Sequence, residues 1–410
     1  MKNLNADIAV IGGGASGFAA AITAAQNGAG KVVILERLPR TGKKLLATGN
    51  GRCNLSHTDI TTESYRTSYP HLSQVMAEFE GAESFFERLG LITCSDPQGR
   101  IYPYSNAATS VLDALRLEAA RLGVEEVCDF DVHSAAAAKG GFTINGSLSA
   151  RSVILCAGGC AAPSMGSNGS GFAIAEKLGH RIIKPLPSLA PIKCGDSRVK
   201  ALKGLRVNCR VSAFLGKRLL KSEVGEIQFS DGALSGICIF NLSPLAAEYG
   251  GKMEIGVDLM PEYNLETVTE MLFKVKKQRT SSTLEDMLTG FFQKRVGQCL
   301  IKSAVSMPLT SPASALKPEH IKRIAADIKC WTFSVDGLSP FTAAQVTHGG
   351  VFGGEIDGKL CSKLVKGLYL AGEVVDVDGD CGGYNLNWAW ASGCHAGKNA
   401  AEFIKSRRKA

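Results

Sequence analysis

The sequence predicts an α/β protein: a domain of βαβ units around a parallel sheet, interrupted by an inserted β-barrel and helical segment. Three observations predict it. A strand, a glycine turn, a helix and a second strand open the chain. Prolines cluster at Pro185, Pro187 and Pro191. From Leu368 a strand–glycine–helix segment with the texture of the opening returns near the C-terminus.

The elements follow in chain order. Asp7–Ile11 and Val32–Glu36 are apolar strands flanking the Ala-rich helix Ala15–Gln26, with Gly28 and Gly30 as its stop signal. Helices are expected at Leu72–Leu89 and Ala108–Leu122, and strands at Val124–Phe130, Phe142–Ile144 and Ser152–Cys156. The prolines make Lys184–Lys193 a crossover, because the residue before each proline is biased away from the helical region. Alternation then resumes in Val207–Leu215, Arg218–Ser222, Glu226–Phe229 and Met253–Asp258, giving a small β-barrel or antiparallel sheet. Helices are expected at Leu265–Lys277, Leu284–Phe292 and Lys317–Ile328, a buried strand at Gly367–Ala371, and a last helix at Trp388–Ile404. The expected organisation is therefore a first domain part at 1–190, an insertion at 191–337 with its helical part at about 262–328, and a second domain part at 338–410.

Composition sets bounds on function. The 410 residues are 45% hydrophobic and 20% charged, an ordinary soluble balance, and the 46 glycines suit a fold with many close backbone approaches. The thirteen cysteines are odd in number, scattered, and contain no C-x-x-C; Cys156 and Cys160 merely flank two glycines. That spacing argues against a disulfide framework and a metal site, and for reduced thiols in a cytoplasmic protein. Lys2 followed by apolar residues from Ile8 to Ala25 imitates a signal peptide, yet Gly12–Gly14 interrupts the run and Glu36 follows it. No stretch has the ~20 apolar residues of a membrane span. The net charge is +8, and residues 191–337 hold 21 Lys and Arg against 15 Asp and Glu. A basic insertion fits either an RNA partner or solvated helix faces.

The chemistry-bearing motifs begin at Gly12-Gly13-Gly14-Ala15-Ser16-Gly17, a G-x-G-x-x-G placed between strand and helix. Gly12 permits the tight turn, Gly14 the approach of a pyrophosphate and Gly17 close helix–strand packing, while Glu36 ends the next strand where ribose hydroxyls need an acceptor. This is a Rossmann-like dinucleotide fingerprint, and it occurs once. Downstream, Arg37, Lys43 and Lys44 lead into Ala47-Thr48-Gly49-Asn50-Gly51-Arg52-Cys53-Asn54, a polar, glycine-dense loop suited to phosphates and a planar ring. Ala157 and Gly158 end another strand; Gly372 and Glu373 end a third, followed by Asp376, Asp378, Asp380, Gly382, Gly383, Tyr384, Asn385 and Leu386. An acid there suits a ribityl chain, and the helix start suits an edge on which negative charge develops.

These residues make the chain similar to the bacterial BaiN/RdsA-type flavoprotein family of NAD(P)/FAD-dependent oxidoreductases, also called aminoacetone oxidase family FAD-binding enzymes. The resemblance runs nearly end to end through IGGGASG, TGNGRCN, GRIYPYSNAA, LCAGG, GEIQFSDGALSG, VTHGGV, and AGEVVDVDG followed by CGGYN. It implies an FAD-binding domain split by the insertion. Gly12, Gly14, Ser16, Gly17 and Glu36 would hold the ADP half, with the Val132 backbone at the adenine. Lys44, Asn50, Gly51, Arg52 and Cys53 would line the flavin, with Glu373, Gly383, Tyr384, Asn385 and Leu386 on its other side. Departures concentrate in the substrate pocket: Gly169-Ser170-Gly171 where relatives have Gly-Asp-Gly, Ser230-Asp231 where they have Thr-His, and His348 where many have a small residue.

The resemblance implies reduction of a conjugated C=C bond by hydride from flavin N5, with ribosomal RNA uridine (giving dihydrouridine) or a small enone such as a bile-acid intermediate as substrate. With one dinucleotide fingerprint, NAD(P)H would bind only transiently as donor. Cys53 is the candidate proton donor, Arg52 a carbonyl binder, and Arg100, Tyr102 and Ser105 further pocket residues. His348 also titrates in the useful range, its unperturbed pKa being about 6.5. An RNA substrate would be gripped through Lys193, Arg198, Lys200, Lys203, Arg206, Arg210, Lys274, Lys276, Lys277 and Arg279. The alternative is a non-enzymatic flavin-bound redox-sensing or interaction protein whose cysteines act as switches.

Overall fold

A computed structural model describes residues 4–409 of the chain; Lys2 lies outside the described residues. The chain divides into two compact units, one running to Ser188 and resuming at Phe341, the other Leu189–Pro340.

The first unit is organised by a sheet whose parallel strands are Leu4–Ile11, Val32–Leu35, Glu125–Val127, Leu148–Leu155 and Leu368–Leu370. Numbered along the chain, they stand in the order 3-2-1-4-5, the doubly wound arrangement in which ligands bind outside the strands' carboxyl ends. The same edge of Leu148–Leu155 pairs antiparallel with Gly141–Ile144 through its first half and parallel with Leu368–Leu370 through its last three residues. Ile8, Val10, Val33, Ile34, Val153 and Ile154 are fully buried, as expected of strands covered on both faces. Helix Ala15–Gln26 covers one face and packs against the last helix, Tyr384–Lys409.

Three elements of this unit differ from the sequence expectation. The helix expected over Leu72–Leu89 is two, Leu72–Glu78 and Ala82–Arg88, because Gly81 takes φ +95° between them. The chain passes between the units at Ser188–Leu189, inside the proline-rich segment, but the segment's first part is a strand, Ile182–Ser188, paired antiparallel with Val346–Val351 and interrupted by a register shift between Ile183 and Leu186, where Pro185 falls. The last helix begins four residues early, at Tyr384.

The second unit carries an antiparallel sheet in the order Trp331–Ser334, Met253–Asp258, Arg206–Leu215, Arg218–Phe229, Ala233–Ser235, Ile192–Lys193, Gly337–Leu338. Of the small barrel or antiparallel sheet that the sequence allowed, the open sheet forms: the two end strands do not pair with each other among the described residues, and Gly337–Leu338 offers only two residues for pairing. Arg218–Ser222 and Glu226–Phe229 are one continuous strand, since Gly225 holds the ladder opposite Cys209. Helices Leu265–Gln278, Lys294–Ala304 and Pro318–Lys329 bury Leu272, Leu300 and Ile324 in its core. The helix expected at Leu284–Phe292 is one 3-10 turn, Leu284–Asp286; the chain turns at Gly290 (φ +95°) and the helix forms at Lys294–Ala304.

Candidate functional site

The carboxyl ends of four adjacent parallel strands bring the sequence motifs together. After Ile11 the backbone turns at Gly12 with φ +106°, where a Cβ would collide with the Cys156 carbonyl oxygen and lie 2.8 Å from its carbon. At Gly17 a Cβ would strike the Gly12 carbonyl, so the helix Ala15–Gln26 sits against the turn. Its N-cap, Gly14, supplies no side-chain cap, its first turn holds no acid, and space is open on the Gly14 Cβ side. The helix therefore presents unpaired N–H donors and a partial positive charge to an anion.

Glu36 is buried beside this turn. Its Oε2 accepts the Gly13 N–H at 2.9 Å and its Oε1 the Leu38 N–H at 2.9 Å. A carboxylate has about four acceptor sites, so capacity for hydroxyl donors remains. Val132, also buried, follows a segment tied to the Glu36 strand by the Phe130 N–H to the Glu36 carbonyl (2.9 Å). Arg37 reaches the Gly166 carbonyl at 3.4 Å, and Lys43 the Ser164 carbonyl at 2.9 Å.

The next strand ends lock onto the first motif. Gly372 takes φ +75°, and a Cβ there would lie 2.8 Å from that of Ser16. Glu373 forms a 2.8 Å ion pair with Lys44, while its other oxygen accepts the Thr347 N–H at 2.8 Å. Thr347 Oγ1 in turn accepts the N–H groups of Cys160 (2.8 Å) and Ala161 (3.1 Å), just past Ala157 and Gly158.

The Thr48–Asn54 loop is wound left-handed at Gly49, Asn50, Gly51 and Cys53. Asn tolerates that conformation and Cys does not, so the loop stores strain of the kind found at ligand sites. Burial pushes the fully buried Cys53 thiol up to about 12, with the Thr48 hydrogen bond opposing. Asn50, Gly51 and Arg52 are exposed, and the Arg52 guanidinium lies 4.5 Å over the Tyr102 ring. Asn54 Oδ1 is buried without a hydrogen-bond partner in the described structure, beside Gly383, whose Cβ would fall 2.9 Å away.

The start of the last helix closes the far side. Tyr384 stacks on His57 at 5.1 Å, and Asn385 holds both the N–H and the carbonyl of Gly379 at 2.9 Å. Trp388 and Trp390 extend from the same helix to the carbonyls of Gly372 (3.1 Å) and Leu55 (3.0 Å), fixing one loop each. Arg100 lies apart from this cradle in its bonding: Asp96 holds its Nε at 2.7 Å and Gln98 its Nη2 at 2.9 Å.

Sequence reasoning missed one cluster. Asp378 is 1% exposed and receives Arg66 Nε and Nη2 at 3.0 and 2.9 Å, Ser188 at 3.1 Å and His348 Nδ1 at 2.6 Å. Arg66 also binds Asp380 at 2.8 Å. The Asp376–Asp380 spacing was a visible signal; Arg66, more than 300 residues away, had none.

Among the described residues no group of three His, Cys, Asp or Glu is placed to hold a metal, and no helix is long and apolar enough to cross a membrane.

Comparison with known proteins finds relatives over nearly the whole chain. The 3-dehydro-bile acid delta(4,6)-reductase of Clostridium scindens is 38% identical over 96% of this chain and 99% of its own length. The ribosomal RNA dihydrouridine synthase of Haemophilus influenzae is 26% identical over 93% of this chain and 95% of its own length. Among solved structures, the open conformation of a flavocytochrome c3 fumarate reductase shares the fold, with a TM-score of 0.50 and 15% identity over 98% of this chain and 79% of that one. The family described as HI0933-like protein Rossmann domain matches residues 6–399, and this chain belongs to it.

Proposed function

We propose that this chain is an FAD-dependent oxidoreductase that reduces the conjugated C=C bond of a small enone, with NADH or NADPH as a transient electron donor. The observation that carries the reading is the convergence of two motifs more than 300 residues apart, through Ser16 against Gly372 and Lys44 against Glu373. The residues present fit FAD. An uncapped helix N-terminus suits the pyrophosphate, the Glu36 carboxylate the ribose, and the orphaned Asn54 Oδ1 a ligand N–H beside the Gly382–Gly383 turn. Bound there, FAD would supply two-electron chemistry.

The chain's own residues have distinct tasks in this reading. Gly12, Gly14, Ala15, Ser16, Gly17 and Glu36 hold the ADP half. Lys44, paired with Glu373, fixes a positive charge beside the ring while Asn50–Asn54 and Gly383–Leu386 enclose it. Arg52, exposed and braced on Tyr102, orients a substrate carbonyl. Cys53, with its thiol at about 12, keeps its proton and packs as a neutral thiol. That none of the thirteen thiols is in a disulfide fits the reducing cytoplasm.

The enone is favoured by the greater identity to the bile-acid reductase, 38% against 26% for the RNA enzyme. Uridine in RNA is the second reading, favoured by the basic charge of residues 191–337. Against it, Arg198, Lys203 and Arg206 are already ion-paired, and Lys276 and Arg279 hold backbone carbonyls. A redox switch is disfavoured because burial pushes the Cys156 and Cys394 thiols up to about 12, far from the thiolate form.

Anaerobic reduction by NADH or NADPH, followed by mixing with a 3-oxo-4-ene steroid or ribosomal RNA, tests the assignment through the flavin absorbance. Rapid reoxidation by the steroid is expected. Reoxidation by RNA alone, weakening steeply with salt, would move the assignment to RNA; reoxidation by neither would refute the reductase.

A further inference from the structure

Hydride addition to one carbon of an activated C=C bond needs a proton at its neighbour, and Cys53 is a poor source. We propose that the proton comes from His348 Nε2, with Asp378 and Arg66 as positioning residues; this role rests on the reductase reading above.

The geometry is that of a held imidazole. His348 lies on the strand Val346–Val351 next to Thr347. Successive side chains on a strand point to opposite faces, so Thr347 turns to the 160–161 turn while His348 turns to Asp378. Asp378 stands between Glu373 and Gly383, within the second glycine motif, and Asn385 at the helix start binds the adjoining Gly379 backbone. An ionised carboxylate only accepts, so Nδ1 carries the hydrogen in the 2.6 Å contact with Asp378 Oδ1. The Asp378 Oδ2 is filled by Arg66 and Ser188. Both oxygens are thereby committed, and the ring has one orientation. Nε2 makes no hydrogen bond in the described structure, and the His348 side chain is 33% exposed while Asp378 is 1% exposed. A buried carboxylate behind a partly open imidazole is the arrangement that leaves one ring nitrogen for a substrate.

The charged groups acting on the ring are Asp378 and Asp376, which favour the imidazolium, and Arg66, which opposes it; the cross-strand neighbour is the apolar Leu186. The Asp378 hydrogen bond dominates and holds the imidazole above its ordinary range, against the cost of burial. Atoms and electrons balance simply. The two electrons and one hydrogen reaching the β-carbon would come from a bound flavin, reduced beforehand by NAD(P)H and reoxidised in this step. The Nε2–H bond breaks, a C–H bond forms at the α-carbon, and the imidazole is left neutral until solvent reprotonates it.

The test compares wild type with H348Q and D378N as FAD-loaded proteins. Each is reduced anaerobically and mixed with the enone, and the imidazole is titrated by NMR, its resonance identified by its loss in H348Q. General acids contribute about 10²–10⁴-fold, so H348Q should reoxidise at least ~100-fold more slowly at neutral pH with its flavin spectrum unchanged. The wild-type rate should fall with rising pH through the NMR midpoint, above about 6.5, and both should move to lower pH in D378N. An H348Q rate within threefold of wild type, or a wild-type midpoint at or below about 6.5, overturns the role of His348 alone. A wild type reoxidised by no substrate overturns the reductase reading, and this role with it.

Discussion

Gly12 is where the argument for a ligand-binding turn can be broken most cleanly. In Gly12→Ala the new Cβ collides with the Cys156 carbonyl oxygen and lies 2.8 Å from its carbon and 3.0 Å from the Ala157 Cα. These are backbone atoms, held by the Ile11–Leu155 and Val10–Ile154 register of the central strands, so no side chain can swing aside. Two costs add: a left-handed backbone for a non-glycine residue, about 1–2 kcal/mol, and overpacking of about 1–3 kcal/mol. Gly123→Ala is the control, since Gly123 also has positive φ (+73°) but nothing within 4 Å of its Cβ. It carries the first cost alone. The difference in melting temperature between the two variants thus isolates the clash, at about 2–4 °C per kcal/mol for a unit of this size. Thermal unfolding should place G12A below G123A by at least about 2 °C, and only G12A should lose bound flavin. Equal melting temperatures with equal flavin content would refute the close approach of the two strand ends.

Glu36→Ala removes a charged acceptor of two backbone N–H groups and, in the proposed function, of the ribose; flavin fluorescence titration should show at least about tenfold weaker FAD binding, and an unchanged Kd would count against the assignment. Arg66→Ala removes the guanidinium paired with Asp378 in a site 1% exposed to solvent, leaving only Ser188 and His348, so urea denaturation should find the protein destabilised by about 3 kcal/mol. Native protein treated with a thiol reagent at neutral pH should be labelled at the exposed Cys330, with Cys53, Cys156 and Cys394 protected until urea is added; early labelling of Cys53 would contradict its burial. His348 gains affinity for its proton on folding, so its contribution to stability is full below the unfolded value of about 6.5 and is lost as pH rises through the higher folded value. Denaturation midpoints of wild type and H348Q should therefore converge between neutral and alkaline pH, and divergence would reverse the sign.

The parts of the site legible in the sequence are those whose physics is local. Gly12, Gly17 and Glu36 sit within one βαβ unit, where strand period, glycine turn and helix start constrain one another. Glu373 and Gly383–Leu386 were legible for the same reason. The Arg66–Asp378–His348 cluster was not, because it is assembled by pairing of Tyr65–Thr67 with Val377–Gly379, a register no local pattern encodes. Helices failed where glycine competes with apolar periodicity: Gly81 splits a run that reads as one helix, and Gly290 turns the chain inside a run that reads as helix but forms only the 3-10 turn Leu284–Asp286. Pro185 and Pro187 marked the crossing between the units but hid its strand: a two-stranded ribbon with a register shift accommodates both, since only one edge of the strand is paired.

That ribbon also explains how a long insertion can lie between the two halves of one site. Ile182–Ser188 leaves the first unit and Val346–Val351 returns to it, with Ser188 directly opposite Val346, so the insertion's two ends are held at fixed spacing. Once its ends are fixed, a longer excursion costs little, because loop-closure entropy grows by only about 0.6 kcal/mol per doubling of length. The second motif is then placed by contacts independent of the insertion: Trp388 and Trp390 fasten the last helix to the Gly372 and Leu55 carbonyls, and Gly372 meets Ser16. The inserted unit can therefore vary in sequence and length while the strand ends stay in register.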